Sequence, residues 1–354
     1  MKNIAVIFGG RTVEHDISIL TGLHAAAHVE NANVHYVYLD RQNKMSTGRG
    51  LADIDFYTSG GKGAKNCHFA GGCLCRRFKK TKIDAILNCC HSGVGENGEL
   101  AAYFKVVGIP VTSCGYISAA NMQSKTRTRE ILTAAGFSQP KYVTVRKGED
   151  ITAGFPDFPV IVKPDTLGSS IGVSIARTEE ELANALELAF EMDNRAIVEE
   201  FFEGIKEVNC AAMRAMGEIK VSACEEVCGK HEFLDYESKY LDSSSGFIKK
   251  GKGTVESRDD SEIKGLTRRA YELFGASGIV RADFMLHGGK TYLNEINTIP
   301  GFQAYHLWAR TGMPYGLAID LVVKQAIADA DSARSLKTVF RSDILSKNRG
   351  LVKN

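Results

Sequence analysis

The stretch that most constrains this chain runs from Arg281 to Gly301. It reads Arg281-Ala-Asp283-Phe-Met-Leu, then His287-Gly288-Gly289-Lys290, then Tyr292-Leu-Asn-Glu295-Ile-Asn297-Thr-Ile-Pro-Gly301. Alternating apolar residues on both sides of a glycine pair predict a β-hairpin. Period-two alternation puts Arg281, Asp283 and Met285 on one face of the first strand, and Leu293, Glu295 and Asn297 on one face of the second. Asp283, Glu295 and Asn297 then meet across the hairpin. Hard oxygens on stiff strands suit magnesium, which is held by one or two carboxylates together with substrate phosphates. Arg281 stands beside them, placed to hold an anion. A solvated charged hairpin would carry the same residue types. The sharp Pro300-Gly301 stop directly after Asn297 favours a site.

A chain of 354 residues has room for roughly two to three domains. Its 44% hydrophobic and 24% charged residues are those of a soluble globular protein. The net charge of +2 points to no polyanionic partner, so nucleic acid is not expected. No apolar run reaches the length of a membrane span. The chain enters strand-like Asn3–Phe8 without the pattern of a signal peptide, and the expected location is cytoplasmic. Nine cysteines lie at 67, 73, 75, 89, 90, 114, 210, 224 and 228, without the spacing of a zinc finger, and read as free, buried thiols.

Up to about residue 118, strands and helices alternate: strand Asn3–Phe8, helix Ile17–Val29, strand Val34–Leu39, strand Ile83–Asn88, helix Glu99–Val107 and strand Ile109–Thr112. The pattern predicts a parallel sheet covered on both faces. Lys44–Lys82 is polar and without clear pattern, and reads as loop. The first strand empties into Gly9-Gly10-Arg11-Thr12-Val13-Glu14-His15. This lacks the G-x-G-x-x-G of a dinucleotide fold, so a nicotinamide enzyme is disfavoured. Strand 83–88 empties into His91-Ser-Gly-Val-Gly-Glu96-Asn97-Gly-Glu99, a second strand-end loop of similar chemistry. Taken alone, Glu14 would be a first-turn carboxylate and His91 a structural histidine.

Residues 119–134 predict one helix carrying Lys125, Arg127 and Arg129. Strands follow at Tyr142–Arg146 and Pro159–Lys163. Lys163-Pro-Asp-Thr-Leu-Gly168-Ser169-Ser170-Ile-Gly172-Val173 is a strand, a Gly/Ser loop and a strand, able to wrap phosphate oxygens with Lys163 as counter-charge. It is no Walker loop, and a plain hairpin turn would look alike. Helix Glu179–Met192 leads to strand Arg195–Glu200 and Phe201-Phe202, a candidate adenine edge. Glu207–Ala212 and Glu218–Cys224 predict an antiparallel pair. The polar stretch 231–253 reads as a lid. Asp260–Phe274 and Met313–Ala328 read as helices, and the tail after Asp331 as a frayed basic end.

In order, these pieces are Gly-Gly-x-x-x-Glu-His, His-x-x-x-Gly-Glu, a Lys-bearing helix, Lys-Pro-x-x-x-Gly-Ser-Ser-x-Gly-Val, Tyr-Glu-x-Lys-Tyr, Arg-x-Asp and Glu-x-Asn-Thr-x-Pro-Gly. The set resembles the D-alanine–D-alanine ligases of the ATP-grasp superfamily, including the vancomycin-resistance D-Ala–D-X ligases, over about residues 3–330. The resemblance implies an α/β (α+β) ATP-grasp fold: a Rossmann-like unit at 1–118, a central unit at 119–204, a C-terminal unit at 205–330 with the lid 231–253, and a tail at 331–354. It also implies ATP as phosphoryl donor, two magnesium or manganese ions on Asp283, Glu295 and Asn297, and D-amino acids as substrates. Lys125, Lys163, Ser169, Ser170 and Lys239 would meet the phosphates. Glu200, Phe201, Phe202 and Glu207 would meet adenosine. Glu14 would hold the first substrate's ammonium, with His91 near its carboxylate. Glu14, Ser169 and Tyr240 would close the lid, and Arg281 and the Gly301 backbone would stabilise the oxyanion. A homodimer is usual in such a family.

The chain departs from that pattern in three places. Ser124 stands where the family carries Asp, Asn97 stands in a Gly-Glu-Asp-Gly motif, and Pro300-Gly301-Phe302-Gln303-Ala304-Tyr305-His306 replaces Pro-Gly-Met-Thr-x-x-Ser. His306 therefore falls where a serine would help bind the second substrate's carboxylate. Tyr240 favours an amine over a hydroxy acid as acceptor. Three readings stay open: a D-Ala–D-Ala ligase for peptidoglycan, a D-Ala–D-Ser or other amino-acid ligase with an altered acceptor site, and a non-catalytic paralogue.

Overall fold

The computed structural model describes residues 1–59, 62–149, 154, 156–227 and 257–347. Lys239, Tyr240 and the expected lid 231–253 lie outside the described residues. The described strands are β1 Lys2–Gly9, β2 Ala32–Leu39, β3 Met45–Thr47, β4 Lys65–Asn66, β5 His68–Ala70, β6 Cys73–Arg76, β7 Lys79–Lys82, β8 Ala85–Asn88, β9 Tyr142–Arg146, β10 Val160–Pro164, β11 Ser174–Ala176, β12 Arg195–Glu200, β13 Lys206–Ala215, β14 Glu218–Val227, β15 Ile279–His287 and β16 Lys290–Asn297.

The first sheet has the order β4-β3-β2-β1-β8, with β1 parallel to β2 and β8. Ile4 to Phe8 of β1 is an unbroken buried run because both faces are covered. Helix His15–Ala27 and the distant helix Tyr315–Arg334, through Tyr315, Ile319 and Val323, cover one face. Leu100 and Phe104 of helix Glu99–Val107 cover the other. Gly22 allows the close approach of helix to strand, since a Cβ there would lie 2.4 Å from the Phe8 ring.

The stretch 44–82, expected to be loop, carries β3 to β7. Two of these strands join the first sheet antiparallel, and β5-β6-β7 form a small sheet of their own. Strands of two to four residues are too short to display an alternation. The expected strand Ile109–Thr112 shrinks to one bridge, Ile86 to Val111, beside Pro110, which has no N–H to give a ladder.

A second sheet, β11-β10-β12-β9, is antiparallel throughout. It packs on helix Glu179–Met192 through Leu182, Ala185, Leu186 and Ala189. That helix is capped by Thr178, whose hydroxyl accepts from the Glu181 N–H at 3.2 Å. A third antiparallel sheet, β14-β13-β15-β16, packs on helix Ser257–Leu273 through Ala270 and Tyr271. The single helix expected at 119–134 is two, Tyr116–Gln123 and Lys125–Ala134. Ser124 breaks them with extended backbone (ψ 116°) and caps the second, accepting from Arg127 N–H at 3.2 Å.

Among the described residues no helix is long and apolar enough to cross a membrane. Their eight cysteines are free thiols. Burial raises the pKa of Cys89 and Cys90, as it does for an inert core thiol.

Candidate active site

The predicted hairpin is present, with Arg281 opposite Asn297 and Asp283 opposite Glu295. One expected face is corrected. The register shifts after Asp283, so that Phe284 pairs with Leu293 and Asn294 is the extra residue. Leu293 is therefore core, 1% exposed, and does not share the face of Glu295. A β-bulge re-aims side chains in this way, and here it turns Asn294 toward the second sheet.

Arg281 grips Asp283 with two hydrogen bonds, Nε to Oδ1 at 2.6 Å and a terminal nitrogen to Oδ2 at 2.7 Å. Asn297 donates its amide N–H to Asp283 Oδ2 at 2.9 Å, which leaves its amide oxygen for another partner. The donor set is thus two carboxylates and one amide oxygen. Among the described residues no three His, Cys, Asp or Glu side chains form a metal cage. A hard cation that takes the rest of its ligands from phosphates and water fits such a set, whereas zinc does not. The arginine expected at an oxyanion and the aspartate expected at a metal are here each other's partner.

Lys163 sits on β10 opposite Ile197, next to Glu199 on β12. Its ammonium donates to Glu199 Oε2 at 2.6 Å and to Asn294 Oδ1 at 3.4 Å. Arg129 donates to the other Glu199 oxygen, to Asn294 Oδ1 at 3.2 Å and to the Asn294 carbonyl at 2.6 Å. Burial opposes a charge on Glu199, but Arg129 and Lys163 overcome it and hold its pKa down at about 2. The charged Glu199, Arg129 and bulged Asn294 were not singled out from the sequence, since nothing in Arg195–Glu200 says which glutamate points inward. Lys125 donates to the Leu167 carbonyl, and burial lowers its pKa, with Glu295 the largest opposing charge. Beside it, Asp165 accepts from Ser124 at 2.8 Å and from Thr126 N–H at 2.7 Å. Asp165 thus supplies a carboxylate near the place where Ser124 replaces the family's Asp.

At the other end of the loop, Ser169 and Ser92 each donate to one oxygen of Glu14. Three chain segments far apart in sequence meet on one buried carboxylate. Ser169 and Ser170 have φ of 56° and 58°, and Ser92 has φ of 55°, a left-handed backbone that non-glycine residues adopt at a cost. His91 donates from Nδ1 to the Ile299 carbonyl at 2.8 Å and accepts at Nε2 from Thr21 at 2.7 Å. Both ring nitrogens are therefore committed to the protein, and the ring ties the first sheet to the Pro-Gly loop. Glu96, 3.7 Å from the His91 ring, has its pKa raised by burial, partly offset by His91.

A cleft of 320 Å³ joins these groups, and its lining includes Glu14, His91, Lys125, Lys163, Ser169, Ser170, Glu207, Arg281, Asp283, Glu295, Asn297, Gly301 and His306. Glu200, Phe201 and Phe202 are not part of that lining. Glu200 accepts from Lys141 N–H at 3.4 Å, and the Phe202 ring stacks on His287 at 4.7 Å. The adenine edge expected there is thus represented in the lining by Glu207 alone. His306 lines the cleft but is not free: its Nε2 lies 2.9 Å from Glu225 Oε2.

Residues 3–114 match the family described as D-ala D-ala ligase N-terminus, and residues 131–328 match D-ala D-ala ligase C-terminus. The D-alanine–D-alanine ligase of Wolinella succinogenes is 33% identical over 86% of this chain and 89% of its own. The D-alanine–D-alanine ligase of Coxiella burnetii superposes with a TM-score of 0.81 at 22% identity, covering 94% of this chain and 97% of that one. The VanG D-Ala:D-Ser ligase of Enterococcus faecalis superposes with a TM-score of 0.78 at 24% identity, covering 92% and 99%. An ATP-grasp architecture, a cleft that gathers the motifs, and matches across both halves of the chain lead to one conclusion: this protein belongs to the D-alanine–D-alanine ligase family.

Proposed function

We propose that the protein uses ATP to join two D-amino acids, two D-alanines in the first instance, into a dipeptide for peptidoglycan. A carboxylate is a poor electrophile. Transfer of the γ-phosphoryl group to a carboxylate oxygen of the first D-alanine releases ADP and leaves an acyl phosphate. The amine of the second D-alanine attacks the acyl carbon, the C–O bond to phosphate breaks, and the amine proton goes to the departing phosphate or to water. The observation that carries this reading is the meeting of both chemistries in one cleft. Asp283, Glu295 and Asn297 line that cleft together with Glu14 and Ser169, which are hydrogen-bonded to each other.

Asp283, Glu295 and Asn297 would hold two magnesium or manganese ions, which when bound neutralise phosphate charge. Lys163 would add positive charge from the second sheet and Lys125 from the start of the helix Lys125–Ala134, with Ser169, Ser170 and Lys239 around the phosphates. Glu207 would take a ribose hydroxyl. Phosphoryl transfer asks chiefly for such positioning and charge. Glu14 would anchor the first ammonium, with His91 holding the wall behind it and Tyr240 completing the closure. Arg281, once released from Asp283, and the Gly301 N–H would receive the oxyanion. We further read the three larger sheets as three units near 1–118, 119–204 and 205–330, and the assembly as a homodimer, a mass that sedimentation would check.

The test is ADP release and product mass with ATP, Mg2+ and D-alanine. D-alanine-dependent ADP release with D-Ala–D-Ala as product is expected. ADP release that ignores D-alanine, with no dipeptide, would remove the reading. A second reading changes only the acceptor, to D-serine, and rests on the altered loop from Phe302 to His306. The same assay run with both amino acids present separates the two.

A further inference from the structure

The side-chain cluster at the acceptor end of the cleft is built around Glu225. This carboxylate lies on β14, an edge strand, and its side chain is only 7% exposed. Each oxygen has its own partner: Oε2 is 2.9 Å from His306 Nε2, and Oε1 is 2.9 Å from an Arg310 terminal nitrogen. Both partners come from the helix Tyr305–Arg310 that follows the Pro-Gly loop. Of the two, His306 lines the cleft. A buried carboxylate is stable only when paired, so the cluster holds together as a unit. Hydrogen bonding of one imidazole nitrogen sets which nitrogen is left for a ligand. With Nε2 on Glu225, that nitrogen is Nδ1.

We propose that Glu225 is a positioning residue for acceptor recognition: it holds His306 by Nε2 so that the ring presents Nδ1 to the acceptor's carboxylate. The charges support this. Glu225 meets an imidazole on one oxygen and a guanidinium on the other, and an amino-acid carboxylate in the cleft adds a second negative group on the far side of the imidazole. A hydroxyl in that place would offer a hydrogen bond without a charge. The acceptor is therefore one with a free α-carboxylate, selected by that group. The inference rests on the ligase reading above, and concerns only the second substrate.

The test uses an acceptor that lacks the carboxylate. D-Alaninamide has the attacking amine but no carboxylate to be phosphorylated, so it can serve only as acceptor. The full-length protein is given ATP, Mg2+ and D-alanine with D-alaninamide in competition, and the ratio of dipeptide to dipeptide amide is read by mass. The wild-type protein is expected to prefer the carboxylate acceptor. In Glu225→Gln, which keeps the shape and a hydrogen-bond acceptor but loses the charge, the ratio is expected to fall by about tenfold, the factor that corresponds to ~1.4 kcal/mol. His306→Gln, which leaves Glu225 paired with Arg310, is expected to lower it as far. A folded variant that is slower but keeps the wild-type ratio would overturn the proposal, because a structural role slows both acceptors alike. If Glu225→Gln does not fold, His306→Gln decides. A wild-type protein that forms neither product would instead defeat the ligase reading.

Discussion

The two ends of the cleft solve the same problem, charge held near the protein interior, in different ways. At the proposed phosphate end Glu199 is shared between Arg129 and Lys163, and Asn294 closes the network from a fourth element. At the proposed acceptor end Glu225 is shared between two groups of one short helix, His306 and Arg310, just after backbone that is itself strained. Phe302, Gln303 and Ala304 have φ of 48°, 53° and 54° in succession. A left-handed residue with a Cβ costs roughly 1–2 kcal/mol. The buried Gln303, donating to Asn88 O at 3.4 Å and accepting from the Tyr315 hydroxyl at 3.2 Å, helps hold that turn. The phosphate end is thus fastened across two sheets, and the acceptor end hangs on a bent loop and one carboxylate.

The sharpest way to break this contrast is Glu199→Ala. Two buried cations would lose their shared partner, and stability should fall by about 3–5 kcal/mol. Urea unfolding measures it, and a loss below 1 kcal/mol would mean that the network is not the support described. Next comes Arg281→Met. It should leave folding intact while kcat drops by about 10²–10³-fold, the usual effect of removing one transition-state donor. Steady-state rates at saturating substrates decide, and a change confined to KM would contradict the oxyanion role.

The pH dependence of stability is third. Glu199 is depressed from 4.5 to about 2, so it stabilises the fold fully above pH 4.5, and that contribution is lost as pH falls through 2. The loss is on the order of 3 kcal/mol. Urea midpoints at pH 6 and pH 3 should differ less in Glu199→Gln than in the wild-type protein. The smallest expected effect is Ser124→Ala. It removes a helix cap and the bond to Asp165, at a cost of about 1 kcal/mol. Thermal melting would register it, with kcat nearly unchanged. A large loss of kcat there would show that Ser124 belongs to the chemistry.

Much of the site was legible before any coordinates. The hairpin, Lys163, the Gly-Ser-Ser loop and Glu14 carry their signals locally, in alternation, in small residues at strand ends, and in the order of motifs. The bulge was not legible, and it moved Leu293 to the core. A one-residue register shift depends on how Phe284 and Leu293 pack, which alternation within a single strand does not report. The short strands from Met45 to Lys82 escaped for a related reason, since two to four residues carry no measurable period. Arg129 is one of three cations on the helix expected at 119–134, and nothing local sets it apart from Arg127. Only the approach of β12 and β16 shows it to be buried.

By itself the sequence determined the class of chemistry. Carboxylates beside an amide on one hairpin and lysines near a Gly/Ser loop point to phosphate and metal, and the order of the motifs resembles the D-alanine–D-alanine ligases, because such patterns are local and survive without knowledge of packing. Tertiary structure alone decided the pairings. Ser92 reaches Glu14 across 78 residues, Arg129 reaches Asn294 across 165, and Glu225 meets a histidine from beyond the hairpin. A charged side chain finds its partner through where the backbone has already placed both, and no spacing in the chain encodes that distance.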